Sequence, residues 1–156
     1  MQIAPQPRRA AWCFFAIVRI GQWLARLFRP SAPTLDTTSR YTTLYARRAS
    51  QELATARTLL AQRQFRAAGA IAGVALEFHL HHVAAVHAIG VGQNATIGQI
   101  QNALRFAGVL HPRQRKVIQR LSDLRNRCVH AREHVPDMTM VTKLVEGTAQ
   151  LMETLR

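Results

Sequence analysis

The sequence predicts an all-α fold: an antiparallel bundle of four to five helices behind an N-terminal amphipathic segment. Three observations predict it. Beyond residue 38, apolar residues recur at steps of three and four, with no strand-like alternation and no internal repeat. Gly, Pro and capping residues fall between these periodic runs rather than inside them. Finally, 156 residues with 48% apolar and 19% charged side chains have the size and composition of one globular core.

The first element is the outlier. Residues 8–28, RRAAWCFFAIVRIGQWLARLF, place two arginines before an apolar run from Ala10 to Val18, the order found in a signal peptide. Arg19 interrupts that run, no small-x-small cleavage site follows closely, and the run is too short to span a bilayer. Arg19, Gln22, Arg26 and Arg29 make one polar stripe on a helix otherwise covered by Trp, Phe, Ile and Leu. Such a helix docks on protein, lies in a membrane interface, or is cleaved as a signal, and the residues leave all three open. Pro30 and Pro33, in RPSAPTLDTT, then place a linker at 31–38. Residues 1–30 are thus an appended segment, and residues 39–156 the domain.

Within the domain, residues 39–63 carry Leu44, Ala54, Leu59 and Leu60 among good helix formers. A second helix over 65–89 is apolar on much of its surface and is predicted to be central. Its Gly69 and Gly73, four apart, let a neighbouring backbone come close. GVGQN at 90–94 breaks this helix, and Thr96-Ile-Gly-Gln99 is a capping box opening a short third one. Gly108 and Pro112 mark the next turn, with proline suited to the first turn of a fourth helix running to about residue 134. Pro136 ends it, and Asp137 opens the last.

Charge narrows the partners. The net charge of +13 is almost all arginine, since Lys116 and Lys143 are the only lysines. Arginine- and alanine-rich chains are common products of GC-rich bacterial genomes, but whatever its origin this excess draws polyanions. Nucleic acid ranks ahead of an anionic membrane surface. Cys13 and Cys128 match no zinc or redox spacing and read as reduced packing residues, as expected in the cytoplasm.

The densest chemistry is LRNRCVHAREH, residues 124–134. Val117, Leu121, Leu124 and Cys128 step by four, three and four and are predicted to face the core. At about 100° per residue, Asn126 and His130 form an i, i+4 pair on the opposite face beside Gln119 and Asp123. Arg125 flanks that face, with Ile118 and Val129 between it and Asn126. A face mixing Ile118, Val129, Asn126 and His130 reads as a contact surface holding polar groups. The bland alternative is a helix C-terminus whose Arg125, Arg127, His130, Arg132 and His134 complement the macrodipole, with Asp123–Arg127 an ordinary i, i+4 pair.

Arg125-Asn126-Arg127-Cys128-Val129-His130 resembles the R-x4-H motif of HEPN domains, in the form where a polar residue follows the arginine. The resemblance covers roughly residues 40–156 and includes the helical order, the late position of the motif and one further helix. It implies a homodimer that pairs the two fourth helices and cleaves RNA without a metal or cofactor. It also implies a setting in toxin–antitoxin or other defence systems, with an antitoxin protein as partner. Arg125 and His130 would be catalytic, and Asn126 would hold the histidine or a phosphate. In one toxin branch a tyrosine that an antitoxin modifies stands two residues after the histidine. Arg132 occupies that position here, so that control is not implied. Other family members keep the fold without cleaving RNA, which leaves a non-catalytic nucleic-acid- or protein-binding module, or a membrane-surface protein, as alternatives.

Three further groups carry expectations. His79 with His82, and Glu77 with His81, share helix faces, but no HExxH and no further ligand cluster follows, so no metal site is expected. Glu77 continues the Gly69–Gly73 line, and a carboxylate there needs a cation. Arg125 is its expected partner. His87, one turn past Val83, is expected to be a hydrogen-bonded histidine at the core edge. Tyr41 and Tyr45, an i, i+4 pair near Arg40, Arg47 and Arg48, form either an RNA-contacting patch, together with Arg127 and Arg132, or a solvated helix start.

Overall fold

Helix boundaries fall where the local chemistry sets them. A computed structural model of the chain describes residues 35–130 and 136–156. The N-terminal segment with Cys13, and the stretch holding Arg132 and His134, lie outside the described residues. The chain divides into two units, Met1–Thr34 and Leu35–Arg156, and only the second is described.

Among the described residues there are five helices and no strand, an all-α bundle: α1 (Leu35–Ala61), α2 (Phe65–Val86), α3 (Ile97–Phe106), α4 (Pro112–His130) and α5 (Met138–Thr154). The first begins inside the stretch read as linker, because Pro33 is the last residue there that resists helix and nothing after it does. The capping box at α3 is formed in both directions. Gln99 N donates to Thr96 Oγ1 at 3.3 Å, and Thr96 N donates to Gln99 Oε1 at 2.8 Å. At α5, Met140 N donates to Asp137 Oδ1 at 2.6 Å, satisfying an amide that the helix itself cannot. The ends of α1 and α2 need a left-handed residue and use Arg63 (φ 60°) and Ala88 (φ 54°), while Gly108 (φ 74°) serves α3.

The central position of α2 follows from its composition. It packs against all four other helices and buries Ala68, Ala72, Ala75, Leu76, Leu80, Val83 and Ala84. This helix is also long and apolar enough to cross a membrane by those two criteria, and 56% of the qualifying window is buried within the bundle. The remaining helices contribute Ala49, Leu53 and Ala56, then Ile97, Ile100 and Leu104, then Ile118, Leu121 and Cys128, and lastly Val141, Leu144, Val145 and Leu151. At roughly 25 cal/mol per Å² of apolar surface, this shared burial is the main force holding the helices together.

Candidate functional site

α4 is held by close approach. A Cβ on Gly69 would fall 2.8 Å from Cys128 Cβ and against its sulfur, so the buried thiol occupies the space that a side chain would take. Burial pushes that thiol's pKa up, as expected of an inert packing cysteine. One turn along α2, a Cβ on Gly73 would fall 3.1 Å from Arg125 Cβ and 3.2 Å from its Cδ, and against Cγ. The aliphatic stem of Arg125 therefore lies across bare backbone. On the other side, a Cβ on Gly147 of α5 would meet Leu121 Cδ2 at 2.6 Å.

These contacts fix the rotation of α4, and they correct the stripe expected from the sequence. The inward line is Ile118, Leu121, Arg125 and Cys128, at steps of three, four and three. Ile118 is fully buried, whereas Val117, expected in the core, is 38% exposed, and Leu124 is only half-buried. Ile118 is therefore absent from the outer face that the sequence reading gave it. The physical reason lies in the partner helix: the two glycines make a shallow seat that takes the Arg125 stem and Cys128 in preference to a larger aliphatic.

Arg125 is half-buried. Its Nη1 donates to Asn126 Oδ1 at 3.2 Å, and its Nε is buried without a hydrogen-bond partner. Asn126, Val129 (38% exposed) and His130 lie on the exposed side of the same helix, with Asn126 and His130 one turn apart. The arrangement thus brings together a guanidinium anchored through its stem, an amide bonded to it, and an exposed imidazole beside an exposed valine. Glu77 makes no hydrogen bond or ion pair with Arg125, its expected partner. Half-buried Glu77 acts instead on His81, one turn along its own helix, where its charge favours the protonated imidazole. Asp123 is engaged by Gln119, whose Nε2 donates to Oδ1 at 3.0 Å, rather than paired with exposed Arg127.

The aromatic patch is a packed seam between α1 and α2. Tyr45 is half-buried and stacks on the His81 ring at 5.1 Å between centroids, and it meets Phe78 at 6.2 Å. Tyr41, 39% exposed, stacks on Tyr45 at 6.1 Å. Arg48 covers Phe78 at 5.5 Å, Arg47 is exposed, and His82 Nδ1 lies 3.0 Å from the Thr42 carbonyl oxygen. Most of the Tyr45 ring surface is spent on helix packing, and α1 does not pack on α4.

The histidines of α2 are structural. His79 is 4% exposed, and burial, reinforced by the neighbouring His82, lowers its pKa from 6.5 to about 4 although a hydrogen bond from its ring to the Leu155 backbone opposes the shift. His81 is lowered in the same direction by burial. Both have a buried Nε2 without a partner, and no cluster of three metal-ligating side chains occurs among the described residues. His87, expected at the core edge, is exposed beyond the end of α2, with Nε2 3.4 Å from the Arg156 carbonyl oxygen. No family model, curated protein or solved structure matches the chain. The reading of the site therefore rests on its residues.

Proposed function

We propose that the chain is a metal-independent ribonuclease of HEPN type that works as a homodimer through the outer face of α4. The observation that carries this reading is Arg125: its stem is seated on Gly73, its guanidinium bonds Asn126, and exposed His130 lies one turn further along the helix. Arginine's planar fork suits a phosphate whose charge grows in the transition state, and imidazole is the side chain best suited to exchange protons near neutral pH. In the proposed reaction, His130 takes the proton of a ribose 2′-OH as its oxygen attacks the adjacent phosphorus. The phosphorus–5′-oxygen bond breaks, and the leaving oxygen takes a proton from His130 of a second copy. The products are a 2′,3′-cyclic phosphate and a 5′-hydroxyl.

One chain supplies one motif histidine, so the acid and the base need two copies. Val129 beside Asn126 and His130 gives the face the part-apolar character that a self-complementary contact uses. The net charge of +13 supports a polyanionic substrate. The test is cleavage of RNA by purified full-length protein in EDTA, beside Arg125→Ala and His130→Ala. Cleavage by the parent alone is expected, with each variant reduced at least a hundred-fold, roughly the loss of a general acid or base. No cleavage, or equal cleavage by all three, contradicts the reading and leaves a binding module.

A further inference from the structure

The site described above uses only the last two turns of α4, yet the same helix carries a longer pattern. Arg113, Lys116, Arg120 and Arg127 are all exposed and recur at steps of three, four and seven, so they form one line about 21 Å long at 1.5 Å per residue. The only carboxylate on the helix, Asp123, is occupied by Gln119, and none of the four cations makes an ion pair among the described residues. Arg113 and Lys116 also lie near the N-terminus of α4, where its first turn has no acidic residue and cations oppose the helix dipole. A line of cations with no ion pair among the described residues, two of them opposing the helix dipole, suits an extended anion.

A second, independent feature stands at the head of that line. Phe106, the last residue of α3, is 79% exposed, the most exposed large apolar side chain among the described residues. The Arg105 guanidinium lies 4.2 Å from its ring centroid, so one face of the ring is covered by a cation and the other is open. The turn through Gly108 is closed by Val109 N donating to Leu104 O at 3.0 Å, and Gln101 Nε2 donates to Arg115 O at 3.2 Å. These bonds tie α3 to the start of α4, and only the short turn 107–111 separates Phe106 from the helix that carries the cation line.

We infer that Phe106, Arg105 and the Arg113–Lys116–Arg120–Arg127 line form a track for single-stranded RNA. One base stacks on the open face of Phe106, and successive phosphates run along α4 towards Asn126 and His130. The track rests on the RNA reading of α4 and names the form of RNA. A ring that is open on one face needs an unstacked base, which a duplex does not offer, while the cations require only a backbone. The line's length suits a short single-stranded footprint of about four nucleotides.

Fluorescence anisotropy tests the track without requiring cleavage. The parent is full-length His130→Ala protein, titrated with a labelled, unstructured RNA of on the order of ten nucleotides and with the same strand annealed to its complement. Phe106→Ala in this background is expected to weaken single-strand binding about ten-fold, as the loss of one base stack does, and to leave duplex binding unchanged. Phe106→Trp is expected to restore it. Arg113→Gln with Arg120→Gln is expected to reduce the slope of log affinity against log salt by about 1.4, for two phosphate contacts on a single strand. Melting curves check that each variant is folded. Binding of single-stranded RNA by Phe106→Ala equal to the parent, or an equal loss for duplex, overturns the track, including the case in which Phe106 docks a protein. Phe106-dependent binding by a wild type that does not cleave RNA sustains the track and sinks only the ribonuclease reading.

Discussion

The two sides of α2 hold their neighbours by opposite means. Towards α1 it presents rings: His81 stacks on Tyr45, Phe78 lies under Arg48, and His82 reaches the Thr42 carbonyl. Towards α4 it presents bare backbone at Gly69 and Gly73, filled by Cys128 and the stem of Arg125. Rings add specific stacking, worth about 1 kcal/mol per pair beyond buried area, but they hold the helices apart. Glycines forgo side-chain contacts and weaken the helix, yet they let a charged residue lay its aliphatic stem along the core, here with Nε buried and Nη1 bonded to Asn126. The glycine side is therefore where a cation can be positioned, whereas the imidazoles buried on the rest of α2 tie stability to their remaining neutral.

Acid should break the comparison most strongly. The folded state holds His79 near a pKa of 4 against an ordinary value of 6.5, so between those values the unfolded chain binds more protons and stability falls with pH. The contribution is complete above about pH 6.5 and reaches a loss of about 3 kcal/mol by pH 4, with His81 acting in the same direction. Urea unfolding from pH 7.5 to 4.5 reads this slope, which His79→Gln should flatten.

The glycine side should respond next. In an open helix Gly→Ala stabilises by up to about 1 kcal/mol, but Gly73→Ala here meets Arg125 and is expected to destabilise by about 2 kcal/mol through overpacking. In an Arg125→Ala background the same change should cost clearly less, because most of the obstructing stem is gone. Additive effects in that double-mutant cycle would mean that the stem does not occupy the seat. The smallest effect is expected at Tyr45→Leu, about 1 kcal/mol for lost ring stacking at a half-buried position, with no change in RNA cleavage.

Much of this arrangement is legible in the sequence because it depends on local chemistry. Thr96, Gln99, Pro112 and Asp137 set helix starts through their own hydrogen bonds or fixed φ, and the Gly69–Gly73 spacing marks a close approach before any neighbour is known. Which residue fills that seat is not local. Val117 and Ile118 are adjacent and similarly apolar, and only packing against Gly69, Gly73 and Gly147 turns Ile118 inward and leaves Val117 at the surface. The same rotation puts Arg125 on the inward line rather than on its flank. Tyr45 illustrates the other limit: an i, i+4 tyrosine pair reads as a surface patch until His81 and Phe78 arrive from a helix more than thirty residues away. Phe106 also has a sequence signal, a large aromatic beside an arginine at the end of a short amphipathic helix.

If two copies of α4 share one reacting centre, as proposed, subunit mixing shows it most directly. Wild-type and His130→Ala proteins are mixed at constant total concentration, allowed to exchange subunits, and assayed for RNA cleavage in EDTA. If acid and base come from different copies, only wild-type dimers cleave, and activity follows the square of the wild-type fraction, about a quarter at an equal mixture. A linear dependence, with about half the activity at that point, places the whole reaction within one chain and contradicts the shared site.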